Sequence, residues 1–145
     1  MNFKTLSILF FLSLMTSSLI AQETVFGKWK TIDDETNEAK SIVEIYQRNG
    51  KVYGKIVKLF RNANEDPDPV CDKCPNDDPR KGKKIIGMEI MKDMKKDGSS
   101  YSGGKILKPD EGDIYKCKIW LEDGKLYVRG YWGFFYRTQV WERAR

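Results

Sequence analysis

Histidine is absent from all 145 residues of the chain, and only three cysteines are present. The absence of histidine removes the usual general base, the commonest metal ligand and every nucleophile that depends on a Ser-His or Cys-His pair. Carboxylate, lysine, tyrosine and thiol groups remain, so an enzyme that uses carboxylates or tyrosine stays an open alternative. We predict a non-enzymatic protein with no catalytic residues, no cofactor and no metal site.

Long apolar runs are also missing. The run Leu6–Leu14 is too short, and too interrupted by serine, to form a good membrane-spanning helix. Lys4 precedes this run, and a Ser/Thr patch leads from it to the small residue Ala21, which is the pattern of a signal peptide. We predict that residues 1–21 are a signal peptide cleaved near Ala21 and that the protein is exported, either periplasmic or secreted. An uncleaved anchor is the alternative.

A strong excess of one charge is lacking as well. The chain has 26 Lys and Arg against 21 Asp and Glu, a formal net charge of +5. It contains no basic helix and no arginine-rich arm, so the mild basic bias favours anionic surfaces only weakly and predicts no nucleic-acid partner. Residues 22–145 are enough for one compact core, and we expect a single domain.

The clearest positive signal is alternation of apolar and polar residues. The stretch Asp113–Trp132 alternates on both sides of Asp123-Gly124, and Lys40–Phe60 has strand-like runs on both sides of Asn49-Gly50. Such dipeptides between strand-like runs predict tight β-hairpins. The other predicted strands are Val25–Asp33, Ile85–Met91, Tyr101–Leu107 and Arg137–Arg143.

These eight strands predict an all-β fold, a single antiparallel up-and-down barrel, with a two-sheet sandwich as the alternative. A barrel of this strand number is filled by side chains or holds one small ligand. The segment Arg61–Lys84 is expected to be irregular, and Lys92–Lys96 could form a helical turn.

Gly27-Lys28-Trp29 resembles the Gly-x-Trp opening of lipocalins. In that superfamily the tryptophan closes one end of the barrel and an arginine of the last strand lies over it. The resemblance implies that Trp29 is this plug and that Arg137 or Arg143 covers it.

Several blocks together resemble the exported bacterial domain-of-unknown-function family DUF2147, which has a lipocalin-like (calycin-like) barrel. The blocks are the run from Gly27 to Leu59, Cys71-x-x-Cys74, Ile86-Gly87-Met88, the Tyr101–Leu107 strand, LYVRGYWG and RTQVW. The resemblance implies a compact periplasmic or secreted barrel, and it carries no activity and no catalytic residues.

Cys71 and Cys74 are expected to form a disulfide, because two cysteines three apart in an exported protein usually oxidise to each other. A redox-active pair is the alternative, but no helix follows that would lower the thiol pKa. Cys117 lies on an apolar strand face, so we predict a buried core thiol. A zinc site formed by the three cysteines is the alternative.

Acidic residues gather in the predicted irregular segment. They could bind Ca²⁺ or act as a catalytic carboxylate pair, but the spacing is not that of an EF-hand. We therefore predict a solvated acidic loop. The residues are Glu65, Asp66, Asp68, Asp72, Asp77 and Asp78.

Five aromatic residues occur within Tyr131–Tyr136. The segment could complete the core, line the mouth of a ligand cavity, or contact a partner or membrane. Arg129 is expected on the wet face and would be an interior cation only if the faces were inverted. The predicted ligand-binding residues are Tyr46, Tyr53, Arg129, Tyr131, Trp132, Phe134 and Phe135.

The function we predict is binding of a small apolar or amphipathic, lipid-like molecule inside an exported barrel. The alternative is a filled barrel that acts as a protein-interaction or envelope-stress module, contacting an envelope protein or a membrane surface. The sequence predicts neither the ligand nor the oligomeric state.

Overall fold

The computed structural model describes residues 23–145, which form an all-β structure. Each strand pairs antiparallel with the next, and β8 returns to β1, so the sheet closes into an up-and-down barrel. The predicted fold class is thus confirmed, and the sandwich alternative is wrong. The strands are β1 Gly27–Ile32, β2 Ala39–Arg48, β3 Lys51–Leu59, β4 Glu89–Asp97, β5 Ser100–Lys108, β6 Asp113–Glu122, β7 Lys125–Trp132 and β8 Phe135–Arg143.

The signal peptide predicted for residues 1–21 lies outside the described residues. Between Glu23 and Arg145 there is no helix long and apolar enough to cross a membrane.

Two hairpin turns confirm the turn predictions made from the sequence. Asn49-Gly50 joins β2 to β3, and Asp123-Gly124 joins β6 to β7. All four residues have positive φ, between 51° and 76°. This left-handed geometry matches the twist of the flanking strands and favours glycine at the second position.

The helical turn considered for Lys92–Lys96 is wrong, because β4 continues as a strand to Asp97. Asp93 has φ of 58°, and the pairing between β3 and β4 shifts register between Val52 and Gly54. This irregularity lets Met91 and Met94, three residues apart, both be fully buried. A bulge therefore replaces the period expected of a regular strand.

One end of the barrel is closed by side chains. Trp29 in β1 is completely buried, and its indole nitrogen donates a hydrogen bond of 2.8 Å to Val25 O. Arg143 at the end of β8 lies over its ring, 3.8 Å from the centroid. Arg137 lies at the opposite end, so Arg143 is the arginine that covers the tryptophan. The other fully buried large side chains are Ile45, Met91, Met94, Leu107, Ile119 and Leu126.

The opposite end carries the long β3–β4 segment, residues 60–88, which is more ordered than the sequence suggested. Cys71 and Cys74 form a disulfide of 1.99 Å, which confirms the predicted pairing. Cys71 N donates to Lys83 O (2.8 Å), and Val70 bridges to Lys84. The segment is thus tied into a compact loop of its own.

This loop packs against the β5–β6 turn. A Cβ added to Gly112 would lie 1.8 Å from Lys73 O, and Gly112 has φ of 80°. Only glycine fits such an approach. Since the β1–β2 loop and the β7–β8 turn lie at the same end, this end is the rim of the barrel.

Candidate ligand-binding site

A cavity of ≈ 590 Å³ opens at the rim of the barrel. Two or more lining residues come from each of β1, β2, β3, β5 and β8, and the long β3–β4 segment also borders the cavity. Its volume lies within the range of about 300–1,000 Å³ that is typical of small-molecule sites. The barrel is therefore packed at its closed end and hollow at its rim.

The floor of the cavity is apolar. Ile56 of β3, Ile90 of β4, Leu107 of β5 and Trp141 of β8 line it, and all four are buried. Ile56 and Trp141 belong to the inward-facing sets of β3 and β8, in phase with Gly54 and Gln139. Ile90 and Leu107 are buried on the same strand faces as Lys92 and Lys105. This surface can bury the hydrocarbon part of a ligand.

Two hydroxyls interrupt this floor. Thr31 Oγ1 and Ser41 Oγ are buried and lie 2.8 Å apart, and Ser41 N donates to Thr31 Oγ1 (3.1 Å). The two residues are paired across β1 and β2. The two hydroxyls form a small polar patch in the cavity wall, near the start of β2.

Lys40 stands at the rim between two carboxylates. Its Nζ lies 2.8 Å from Asp110 Oδ2 and 3.5 Å from Asp33 Oδ2. Burial alone would lower the pKa of Lys40, but the hydrogen bond and charge of Asp110 outweigh it and raise that pKa. Backbone hydrogen bonds from Thr36 and Glu35 lower the pKa of Asp33 to about 2. All three groups are therefore charged at neutral pH.

A second polar arrangement lies beside Trp141. Its indole nitrogen donates to Gln139 Oε1 (3.3 Å), and Gln139 Nε2 donates to Asp34 Oδ2 (3.3 Å). Arg137 also lies 2.9 Å from Asp34 Oδ2. These bonds hold the β1–β2 loop against β8 and fix one wall of the cavity.

The predicted ligand residues Tyr46 and Tyr53 lie on the outer face of β2 and β3, where their rings stack 6.1 Å apart. The Tyr46 hydroxyl donates to Glu89, which also accepts from Arg48 (2.8 Å). Burial, together with the Glu89 carboxylate, raises the pKa of Tyr46 to about 12. Neither tyrosine lines the cavity, so the structure does not bring these two predicted ligand residues together with the residues that do.

Arg129 and Tyr131 also lie on the outer face, in β7. The guanidinium of Arg129 lies 5.0 Å from the Trp120 ring centroid and 4.3 Å from that of Tyr136, and it donates to Thr138 Oγ1 (2.7 Å). The faces are therefore not inverted, and Arg129 is not an interior cation. Its position agrees with the wet face expected from the alternation in β7.

Trp132, Phe134 and Phe135 lie at the β7–β8 hairpin, with Gly133-Phe134 as its turn. Phe134 is fully exposed, and Trp132, Phe135 and Tyr136 are 48%, 65% and 59% exposed. The alternative that this segment completes the core is wrong, because the hairpin extends beyond the rim. None of these side chains lines the cavity.

Cys117 is buried in β6, and burial raises the pKa of its thiol to about 12. Cys71 and Cys74 are bonded to each other, so neither has a free thiol that could join Cys117 in a three-cysteine zinc site. Among residues 23–145, no three acidic or cysteine side chains are grouped closely enough to hold a metal ion. Three acidic residues of the long segment instead form separate ion pairs: Glu65 with Arg61, Asp68 with Lys84, and Asp78 with Arg80 (2.7 Å).

Sequence reasoning missed the residues that line the cavity. The available signal was polarity on an inward face: Thr31, Ser41 and Gln139 occupy positions in phase with Trp29, Val43 and Trp141. In a filled barrel these positions would favour apolar residues, so small polar ones mark a hydrated or ligand-bearing space.

Two comparisons relate this chain to known proteins. Residues 27–143 match the model of a family described as "Uncharacterized protein conserved in bacteria (DUF2147)". A solved structure, protein HP1028 from Helicobacter pylori, described as belonging to the lipocalin family, superposes with a TM-score of 0.69 at 21% identity, covering 84% of each chain. No curated protein matches the sequence. The similarity to HP1028 shows a shared fold and nothing more. The family match spans residues 27–143, and the protein therefore belongs to the bacterial family DUF2147.

Proposed function

We propose that this protein is an exported, non-enzymatic barrel that binds one small apolar or amphipathic molecule in the cavity at its rim. The observation that carries the proposal is a space of ≈ 590 Å³ with an apolar floor and charged groups at its edge. Such a gradient suits a molecule with a hydrocarbon part and a polar end. The volume counts against the alternative of a filled barrel.

The hydrocarbon part would lie against Ile56, Ile90, Leu107 and Trp141, where burial of apolar surface supplies about 25 cal/mol per Å² before the costs of association. The polar end would be oriented at the rim by Lys40 and its partner Asp110. Tyr46, Tyr53 and Arg129, which the sequence predicted to bind the ligand, lie on the outer face and have no part in this proposal.

Export is supported by the disulfide, since disulfides persist in oxidising compartments and are rare in the cytosol. A non-enzymatic role is supported by the character of the cavity lining. Its acidic and basic side chains include the Lys40, Asp33 and Asp110 group, in which opposite charges stabilise one another. A general acid or base active near neutral pH would instead need a pKa shifted towards 7.

The test is titration of the purified protein with 1-anilinonaphthalene-8-sulfonate, followed by displacement with a long-chain fatty acid, and native mass spectrometry for a molecule that co-purifies. We expect saturable probe binding that the fatty acid reverses. Ala39→Trp places an indole at a residue that lines the cavity and should weaken binding about tenfold or more, which corresponds to ~1.4 kcal/mol.

The matched control is Ala144→Trp, the same change at the closed end, where Ala144 N bonds to Lys28 O (3.0 Å). It should leave probe affinity unchanged. Equal affinities in the two variants, or no saturable binding and no co-purifying molecule in the unmodified protein, would overturn the proposal.

A further inference from the structure

The exposed β7–β8 hairpin is the most apolar protrusion on the described surface. It carries Trp132, Phe134, Phe135 and Tyr136, all exposed, with Gly133-Phe134 at the tip. Trp132 stacks on Phe135 (6.2 Å between centroids), so the apolar side chains form one patch. An exposed patch of contiguous large apolar groups marks an interaction site. We call this patch the aromatic tip.

Lysines continue from this tip across the neighbouring strands in a single row. Lys92 of β4 pairs with Lys105 of β5, Lys105 pairs with Lys116 of β6, and Lys116 pairs with Tyr131 of β7. Adjacent strands are about 4.8 Å apart, so the three lysines occupy neighbouring positions on the sheet. Like charges directly opposite one another destabilise a sheet, and a row of three calls for a compensating partner.

Compensation within residues 23–145 is partial, because the charge of Lys92 acts on the Asp78 and Glu89 carboxylates without a salt bridge. Lys92, Lys105 and Lys116 form no salt bridge, whereas Lys30 pairs with Glu142 (3.0 Å) and Lys55 with Glu44 (3.5 Å) on other strands. Three lysines without a salt bridge are thus grouped on β4–β6, beside the aromatic tip. Lys118 and Arg129, which are paired across β6 and β7, extend it.

A groove of ≈ 320 Å³ lies along this row. Lys92 and Lys105 line it together with Arg80, whose guanidinium is already paired with Asp78 (2.7 Å). Asp78 and Asp93 also line the groove, so its charge is mixed, and its unpaired cations are Lys92 and Lys105.

We propose that the aromatic tip and the lysine row form one surface that docks on an anionic lipid bilayer. Tryptophan, phenylalanine and tyrosine partition into the headgroup boundary of membranes, and nearby lysines add attraction to anionic headgroups. A protein interface fits less well, because such interfaces are depleted in lysine relative to the rest of the surface. The tip also lies at the same end as the cavity, so a docked protein holds the cavity mouth near the bilayer.

The test is co-sedimentation of the purified protein with vesicles of phosphatidylcholine alone and of equimolar phosphatidylcholine and phosphatidylglycerol. We expect binding to the anionic vesicles only, weakened by added salt and accompanied by a blue shift of tryptophan emission. Phe134→Ser with Phe135→Ser should abolish binding. Both residues are exposed, so the barrel should keep its melting temperature.

A charge-matched pair of variants tests the lysine row. Lys105→Gln with Lys116→Gln should weaken binding about tenfold or more, since each lysine near an anionic surface contributes about fivefold. Lys28→Gln with Lys30→Gln removes the same net charge from β1, on the far side of the ring, and should change binding less than threefold, which is below the effect of one lysine at the surface. For the tip, Val70→Ser with Ile86→Ser removes two other exposed apolar side chains and should leave binding intact.

Equal binding to both kinds of vesicle, equal losses in the two lysine variants, or no vesicle binding at all would overturn the proposal. Sedimentation velocity tests the other possible partner of the tip, a second copy of this chain. If the protein self-associates, the Phe134→Ser with Phe135→Ser variant does not, and no vesicle binding occurs, the tip is a self-association surface. The result is independent of the cavity ligand, because probe titration and vesicle binding are measured separately.

Discussion

The guanidinium carbon of Arg143 lies 3.8 Å from the centroid of the Trp29 ring. The same guanidinium donates hydrogen bonds to Phe26 O (2.7 Å) and Thr24 O (2.6 Å). Trp29 belongs to β1 and pairs with Arg143 of β8, where the sheet closes on itself. One side chain therefore joins the two ends of the barrel and covers the residue that plugs it.

We expect Arg143→Ala to lower the free energy of unfolding by about 1–3 kcal/mol, because it removes a cation–π contact and two charge-assisted hydrogen bonds. Urea denaturation measures the change. Arg137→Ala is the matched control, since its exposed ion pair with Asp34 (2.9 Å) should contribute less than about 1 kcal/mol. Equal losses in the two variants would show that the contact over Trp29 has no special role in stability.

We expect Cys71→Ser with Cys74→Ser to destabilise the protein by about 2 kcal/mol, the value for closure of a very short loop. Residues 60–88 should also be cleaved faster in limited proteolysis, because the bonds from Cys71 to Lys83 and Gly82 lose their covalent anchor. Reduction of the unmodified protein with dithiothreitol should reproduce both effects. Unchanged cleavage of this segment would contradict the expectation.

The Cys117 thiol should not react with Ellman's reagent at pH 8 in the folded protein, and one thiol should react after denaturation. Burial raises the pKa of this thiol from 9.0 to about 12, so it stays neutral when folded. The unfolded thiol ionises earlier, so this group's contribution to stability is complete below pH 9 and falls as the pH rises above that value. A rapidly reacting native thiol would show that Cys117 is accessible.

Acid should weaken the link between the long β3–β4 segment and β4. The Arg80 guanidinium, which bonds Asp78 and also donates to Glu89 O (3.0 Å), holds the pKa of Asp78 at about 2 instead of 3.8. A lowered pKa gives stability that is present above about pH 4 and is lost as the pH falls to 2. Chemical denaturation at a series of pH values measures this loss.

We expect Asp78→Asn to lower the free energy of unfolding at pH 7 by about 1–3 kcal/mol, because it leaves Arg80 without its charged partner. The variant should also lose part of the acid dependence. Asp77→Asn, one residue earlier and exposed, is the control and should have little effect on either quantity. An identical acid dependence in Asp78→Asn and the unmodified protein would contradict this origin.

Local chemistry was enough to predict the hairpins. Asn49-Gly50 and Asp123-Gly124 set the registers of their strand pairs, because these residues accept the left-handed φ of a two-residue turn. The Lys92–Lys96 stretch was ambiguous for a physical reason: the bulge at Asp93 breaks the period of two that identifies a strand.

The faces of β2 and β3 could not be assigned in this way. Tyr46 and Tyr53 are large and aromatic, which is typical of interior positions, yet they lie outside. There they stack on one another or on neighbouring arginines, as in the contact of Arg48 with Tyr53 at 4.0 Å. A ring that stacks on another side chain shields part of its apolar surface from water without entering the core. The sequence does not distinguish such a ring from one buried in the interior.

By itself the sequence determined the class of fold, the strand pairs joined by tight turns, the disulfide and the membership of the family, since each depends on residues close together along the chain or on their order. The tertiary structure alone decided that Arg143 covers Trp29, that the space within the barrel lies at the rim, and that the aromatic tip stands beside a row of lysines. Those relationships join residues from distant strands, and they arise only when the ring closes and sets the stagger between strands.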